Sequence, residues 1–353
     1  MKRTALALAA MAALCLSEQA AAQSQVQVYG ILDAGLEYVN HASPNGGAMT
    51  RVVSGGSNTS RWGLRGSEDL GGGLKAVFNL EGQINMDTGD NGGTLFKRQA
   101  NVGLDGHFGT VVIGRSFTTT YDLVSKFDPM GYAPNYSWAT TGSATGPSKY
   151  GMTTAFDNLI KYTGRAGGFT VSATVGLGEQ PGNASDGRKY ALGGTWFGNG
   201  LGVMATYEQI NGLNVLATGR HDETRAYHLG LAYTSGPWQY MAAMRGYKLE
   251  SGKAATADLR ADTYWAGLSR VLGKVTLTGA VYHINTLNLP VAKDADPTML
   301  VLRAKYALSK RSFLYATAAH ARADHGQLIG VSRDDVGFGS TQTGITTGLQ
   351  HRF

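Results

Sequence analysis

The sequence predicts an all-β protein: a transmembrane antiparallel β-barrel of about sixteen strands, with short periplasmic turns and long external loops. Three observations lead there. Apolar and polar residues alternate with period two in one segment after another, the connections between segments alternate short and long, and aromatic residues gather at segment ends on the apolar parity. Composition sets the bounds. Of 353 residues 50 are glycine and 8 proline, and only 16% are charged, against roughly 25% in ordinary soluble domains. That is too little charge for a disordered chain, and the glycines lack the three-residue period of collagen. With 42% apolar residues and a mean hydropathy of −0.16, apolar side chains must be interleaved with polar ones.

The start of the chain stands apart. Lys2 and Arg3 are basic, the run from Thr4 to Leu16 is almost wholly apolar, and Ala20-Ala21-Ala22 offers small residues at a cleavage site. Residues 1–22 are therefore expected to be a signal peptide cut after Ala22, with residues 23–353 forming the exported domain. The one cysteine, Cys15, falls in the removed segment. The exported chain would hold no thiol, which excludes disulfides, cysteine metal sites and a cysteine nucleophile. Without Lys2, Arg3 and Glu18, the 31 basic and 25 acidic residues become 29 and 24, a net charge of +5. Its basic residues are dispersed, which excludes nucleic acid as a partner.

Taken in order, the first strand shows Val26, Val28, Leu32, Ala34, Leu36 and Tyr38 on one face and Gln25, Gln27, Asp33 and Glu37 on the other. Leu74, Ala76, Phe78 and Leu80 repeat the pattern against Lys75, Asn79 and Glu81. Further copies begin at Phe169, Leu201, Tyr227, Trp238, Val275 and Leu300, and a last one runs through Ile345, Leu349 and Phe353. Tight joints fall at 68–73, 105–109, 164–168, 197–200, 234–237 and 272–274. Longer stretches fall at 40–60, 85–96, 116–154, 209–222, 248–259, 285–297 and 322–341. A strand pair with its turn and loop uses roughly forty residues, which gives the strand number. A soluble sandwich would alternate too, but it would seldom place Tyr38, Trp62, Tyr162, Tyr207, Tyr233, Trp238, Tyr264 and Tyr306 at strand ends on the apolar parity. No stretch reads as a membrane-spanning helix, because Gly, Asn, Thr and Pro interrupt the uncharged runs.

The segments Tyr29-Gly30-Ile31-Leu32-Asp33-Ala34-Gly35 and Ser60–Leu74 resemble the general diffusion porins of betaproteobacteria, the neisserial type of Gram-negative trimeric porin. The resemblance continues through Arg98–Leu104, Phe108-Gly109-Thr110, Gly114-Arg115, Asp157–Tyr162, Tyr306–Ser312 and Gly348–Phe353, so it spans the whole exported chain. It implies an outer-membrane homotrimer in contact with lipid and lipopolysaccharide, without cofactor. Each barrel would be a water-filled channel for passive diffusion of small hydrophilic solutes and ions. It also implies that the C-terminal strand, ending on the outward-facing Phe353, is the signal read by the barrel-insertion machinery, although His351 stands where an aromatic is usual.

On the polar parity, Arg61, Arg65, Lys75, Lys161, Arg245, Arg303 and Lys305 are expected to face the lumen, opposed by Asp33, Glu37 and Glu81. The resemblance further implies a third external loop folded into the lumen, with wall arginines facing its backbone at the constriction. Arg61 and Arg98 match two such positions, Arg98 requiring a bulge or strand end before Gln99. A third position is Ala155 here, which implies a mild preference for anions. Residues 116–154 are too many for a passive connector and are expected to form the constriction loop, with Asp122, Lys126 and Asp128 as its early charges. With Arg65, Lys161 and Arg115, these complete the expected pore-constriction set. A substrate-specific sugar or organic-anion channel would need an aromatic ladder, for which Tyr121, Tyr132, Tyr136 and Trp138 are the candidates. The eight histidines have no catalytic or metal-ligand spacing, so neither an enzyme nor a metal site is expected; an adhesin barrel would pass no ions.

Overall fold

A computed structural model describes residues 25–140, 151, 153–287, 295–333 and 335–353. The expected signal peptide lies outside them, as does part of the third loop. Seventeen strands run in chain order: β1 (Gln25–Val39), β2 (Met49–Ser54), β3 (Arg61–Gly71), β4 (Leu74–Gln83), β5 (Gln99–Gly106), β6 (Gly109–Phe117), β7 (Ala155–Ala166), β8 (Phe169–Gly176), β9 (Lys189–Gly198), β10 (Leu201–Val215), β11 (Arg220–Ser235), β12 (Trp238–Glu250), β13 (Leu259–Leu272), β14 (Val275–Leu287), β15 (Thr298–Ala307), β16 (Ser312–Arg322) and β17 (Thr341–Arg352). Each pairs antiparallel with its successor from β3 onward, and β17 returns to β1, so the sheet closes on itself. The extra strand arises because β2 and β3 share one place in the wall. Ala34–Val39 of β1 pair with β2, while Gln25–Ile31 pair with β3. Between them residues 55–60 leave the ladder and turn inward.

The period-two pattern sorts the strands as expected. Val26, Val28, Leu229, Leu231, Leu300 and Leu302 are exposed on the outer face, and Tyr38, Tyr207, Tyr233, Tyr240, Tyr264 and Tyr306 stand on the same face, each close to half exposed. One expectation changes. Residues 209–222, read as a long loop, are mostly strand: β10 and β11 extend to a four-residue turn, with a register shift between Asn211 and Asn214. Polar residues on both faces conceal that ladder from a pattern search. The other side keeps its tight turns. At Asn199-Gly200 both residues have positive φ, 51° and 79°, the type I′ geometry whose twist matches a two-residue hairpin.

The closing seam is tied from within. Tyr315 of β16 crosses the inner face of β17 and donates its hydroxyl to Asp33 of β1 at 2.7 Å. Asp33 is fully buried and also accepts from the Asn58 amide at 2.9 Å, while its own amide donates to Ser60 Oγ at 2.9 Å. The ring needs floor space, and Gly348 supplies it: a methyl group there would overlap the Tyr315 phenol. At the end of the chain the Phe353 ring lies against Gly30, and the two backbones exchange hydrogen bonds at 3.2 Å.

Gly348→Val is therefore expected to push Tyr315 off Asp33 and lower stability by about 1–3 kcal/mol, the range for overpacking. Urea unfolding of barrel refolded into vesicles measures it. Tyr315→Phe, which keeps the ring and removes only the donor, should cost less than Gly348→Val.

Candidate functional site: the lumen and its inserted loop

After β6 the chain turns into the barrel. Helix α1 (Thr119–Val124) starts on the Thr118 side chain, which accepts from the Tyr121 amide at 3.0 Å, and a single 3-10 turn follows at Ser125–Phe127. The helix buries Thr119, Thr120, Leu123 and Val124 against the wall, and Thr119 Oγ1 bonds Ser172 at 2.9 Å and Thr174 at 2.8 Å on β8. Its Asp122 is exposed and pairs with Lys161 of β7, whose ammonium also donates to the Phe117 carbonyl at 3.0 Å. Phe127 then seats against Gly230 of β11 and accepts from Trp265 Nε1 of β13 at 2.9 Å.

Beyond this point the described part of the loop, as far as Thr140, is fastened at successive positions. Asp128 is buried and accepts from Tyr282 at 2.5 Å, the Tyr132 amide at 2.7 Å, Ser137 at 2.7 Å and the Met130 amide at 3.2 Å. Arg303 of β15 donates to the carbonyls of Met130 at 2.9 Å and Pro129 at 3.1 Å; Arg245 of β12 donates to those of Thr140 at 2.7 Å and Ala139 at 3.0 Å. At the tip, Asn135 and Tyr136 donate to Glu37 of β1 at 2.8 and 3.1 Å. Burial, reinforced by the Glu37 carboxylate, pushes the Tyr136 phenol up, so it stays a donor. The eighth external loop joins there: Arg333 donates its amide to Pro134 at 3.1 Å, and Arg51 bridges Glu37 and Asp335.

The wall under the loop is cut to receive it. Ala226, Ala243, Ala261, Ala280, Ala319 and Ala321 point inward from β11 to β16 and are buried beneath it. The opposite wall, from β3 to β7, carries long polar side chains and stays open. Gln27, Arg65, Asn79, Gln99, Asn101 and Lys161 line a cavity of about 510 Å3 between it and the loop.

On this side of the barrel three charged side chains meet. Glu81 of β4 is nearly buried and accepts from Arg98 at 2.7 Å and from Tyr29 at 2.8 Å, with Arg61 Nε 3.7 Å away. The Arg98 guanidinium lies 5.0 Å over the Phe117 ring, which stacks on Tyr121 at 4.6 Å, and Tyr121 meets Tyr132 at 4.9 Å. Wall and loop are thus linked through a cation on an aromatic face. β5 begins at Gln99, so Arg98 occupies the strand end that lets it reach inward. Two guanidiniums against one carboxylate leave a net charge of +1.

The other expected residues separate by environment. Arg65 is exposed in the lumen, donating to Gln27 at 2.9 and 3.0 Å with its guanidinium 4.9 Å from the Tyr29 ring. Lys126 is exposed beside Phe197 at 5.8 Å. Lys161 is neutralised by Asp122. Asp128 is a buried fastening of the loop and does not line water. Arg115, expected at the constriction, sits opposite Ala100 in the β5–β6 ladder, on the same outer parity as Val111 and Ile113, and there it pairs with Asp157 at 2.5 Å. Ala155 lies opposite Phe117 in the β6–β7 ladder. Of the four candidate ladder aromatics, Tyr136 and Trp138 are fully buried and Tyr132 nearly so, leaving Tyr121 beside Phe117. Arg245 and Arg303, read as lumen charges, are inside but hold the loop instead of facing water. Among the described residues no group of three or more His, Cys, Asp or Glu could hold a metal ion.

Comparison with known proteins gives one answer at every level. A family model described as Gram-negative porin matches residues 5–326. The chain is 33% identical over 371 residues to outer membrane porin protein 32 of Delftia acidovorans, covering all of both chains, and 29% identical over 403 residues to an outer membrane porin protein of Bordetella pertussis, again covering all of both. Among solved structures it is similar to the anion-selective porin from Comamonas acidovorans, with a TM-score of 0.80 and 26% identity over 94% of this chain and 100% of that one. The trimer form of an outer membrane protein of Vibrio cholerae shares the fold at a TM-score of 0.71 and 17% identity, over 94% of this chain and 99% of that one.

Asp128→Ala leaves the Tyr282 hydroxyl and the Tyr132 amide without their acceptor inside the barrel, an expected loss of about 1–3 kcal/mol per orphaned group. The strand wall does not depend on it. The expected outcome is a folded barrel whose loop is cut faster by protease and whose open-channel current is noisier than that of the wild type.

Proposed function

This chain belongs to the Gram-negative porin family, and from that premise we propose that it is a general diffusion channel with a mild anion preference set by the Arg61–Arg98–Glu81 triad. It is a channel of the outer membrane and not an enzyme. Small hydrophilic solutes and ions would pass between the inserted loop and the β3–β7 wall. An ion at the narrow point comes within a few ångströms of the triad, inside the Debye length of about 8 Å at physiological salt, so local charge outweighs the remote total. The single observation that carries the sign is the imbalance of two guanidiniums against one carboxylate, with the exposed Arg65 and Lys126 adding to it. The imbalance is small, since Lys161 is neutralised by Asp122. The anion selectivity of the solved Comamonas relative supports the same reading.

Three further points complete the proposal. The working unit is a homotrimer embedded in lipid and lipopolysaccharide, as the trimer form solved for the fold relative from Vibrio cholerae supports. Residues 1–22 direct export and are removed after Ala22, and the strand ending at Phe353 is read by the insertion machinery. Residues 116–154 form the constriction loop.

In a planar bilayer under a KCl gradient, the wild type should give a small anion-selective reversal potential that falls as salt rises. Arg61→Glu should abolish or reverse it, and Glu81→Gln should strengthen it with the barrel intact. A cation-selective wild type overturns the assignment. In detergent gels unheated protein should run as a large species that collapses on boiling, and only monomer in mild detergent would refute the trimer.

A further inference from the structure

The outer face carries a cation that the channel does not use. Arg270 stands on the lipid-facing parity of β13, three residues before the turn glycine Gly273, opposite Trp238 on one side and Leu277 on the other. Its guanidinium lies 4.7 Å from the centre of the Trp238 ring, and among the described residues no carboxylate is paired with it. A lipid-facing charge is costly at the membrane midplane and tolerated near the interface, where its head reaches the headgroup layer. Beside Arg270 opens an apolar groove of about 590 Å3 walled by Leu268, Leu277 and Leu302, with Ala304, Ala316 and Ala318 as a floor of small residues. A second apolar groove, about 770 Å3, adjoins it and shares Leu268, Gly279 and Leu302.

We propose that this groove holds one glycerophospholipid of the periplasmic leaflet per chain, its phosphate on Arg270 and an acyl chain along the alanine floor. Two features favour lipid over a second copy of the chain. Tyr233, Trp238, Tyr240 and Tyr306 flank the grooves at the short-turn end on the same outer face, the position of an interfacial aromatic belt. The charge at that edge is cationic, the Arg270 guanidinium with Lys274, Lys310 and Arg311 in the adjacent turns, which matches a phosphate and would need carboxylates from any neighbouring barrel. The leaflet follows from the end of the barrel, because the tight turns are periplasmic.

The test is native mass spectrometry of delipidated, detergent-solubilised protein titrated with phosphatidylglycerol. One tightly held lipid per chain is expected. Arg270→Gln should weaken it about fivefold, the scale of one basic residue at a membrane surface. Ala316→Trp, which fills the floor, should weaken it as well, and Arg270→Lys should restore much of the binding lost in Arg270→Gln. Diacylglycerol, lacking the phosphate, should bind weakly. Unchanged single-channel conductance in all three variants shows that the barrel is intact. The proposal fails if Arg270→Gln and Ala316→Trp bind as the wild type does. It also fails if inorganic phosphate competes as well as the lipid, which would mean a simple anion site, or if Arg270→Gln separates the subunits, which would make the face an interface between copies.

Discussion

A sheet inside a hydrocarbon layer cannot end, because every backbone group at an open edge would lose its hydrogen bond with no water to replace it. Closure of β17 onto β1 is the constraint on which the rest of this molecule depends. It requires strands of matched register, and it fixes the seam where Tyr315, lying over Gly348, bonds the buried Asp33. It also fixes the size of the interior. A wall of this circumference encloses more space than its own side chains can fill, so the inside must hold water, or chain, or both.

Here it holds both, and the division follows side-chain length. From β11 to β16 inward alanines are interspersed with the larger side chains that hold the loop, such as Arg245, Trp265, Tyr282 and Arg303, and the loop lies on them with Phe127, Tyr136 and Trp138 fully buried. From β3 to β7 the inward positions carry Arg, Lys, Asn and Gln, and among the described residues the loop touches this wall at Lys161 through Asp122 while a cavity stays open beside it. Charge takes a different role on each side. Arg245 and Arg303, dry under the loop, give their donors to backbone carbonyls that would otherwise be buried without partners. On the other side Arg61 is partly exposed and Arg65 exposed.

This division explains what could be read in the sequence. The outer face was legible because period-two alternation needs only one solvent-like phase on each side, and both lipid and water supply it. The tight turns were legible for the same local reason: Asn199-Gly200 demands a specific backbone geometry. The split of β2 from β3 was not, since it depends on residues 55–60 leaving the ladder to bond Asp33 across the chain. Nor was the role of Arg245 or Arg303, because parity says which way a side chain points and not what lies in front of it. Arg115 stands outside the constriction for a reason that alternation itself carries: it follows Val111 and Ile113 on the outer parity of β6, opposite Leu104, Val102 and Ala100. A usable signal was present in the runs of inward alanine, which mark where another segment must pack.

The triad of Arg61, Arg98 and Glu81 shows how a firm geometry and a reduced charge go together. Arg61 and Arg98 both face Glu81, and two guanidiniums this close would repel each other and splay into the pore without it. Glu81 holds them at the wall, Tyr29 holds Glu81, and Phe117 takes the far face of Arg98, so the cations are fixed where the wall meets the root of the loop. The carboxylate that provides this order also cancels half of the charge. A site with two free arginines would attract anions more strongly, but its opening would vary with the rotamers of two long side chains. What remains is one net positive charge in a set position.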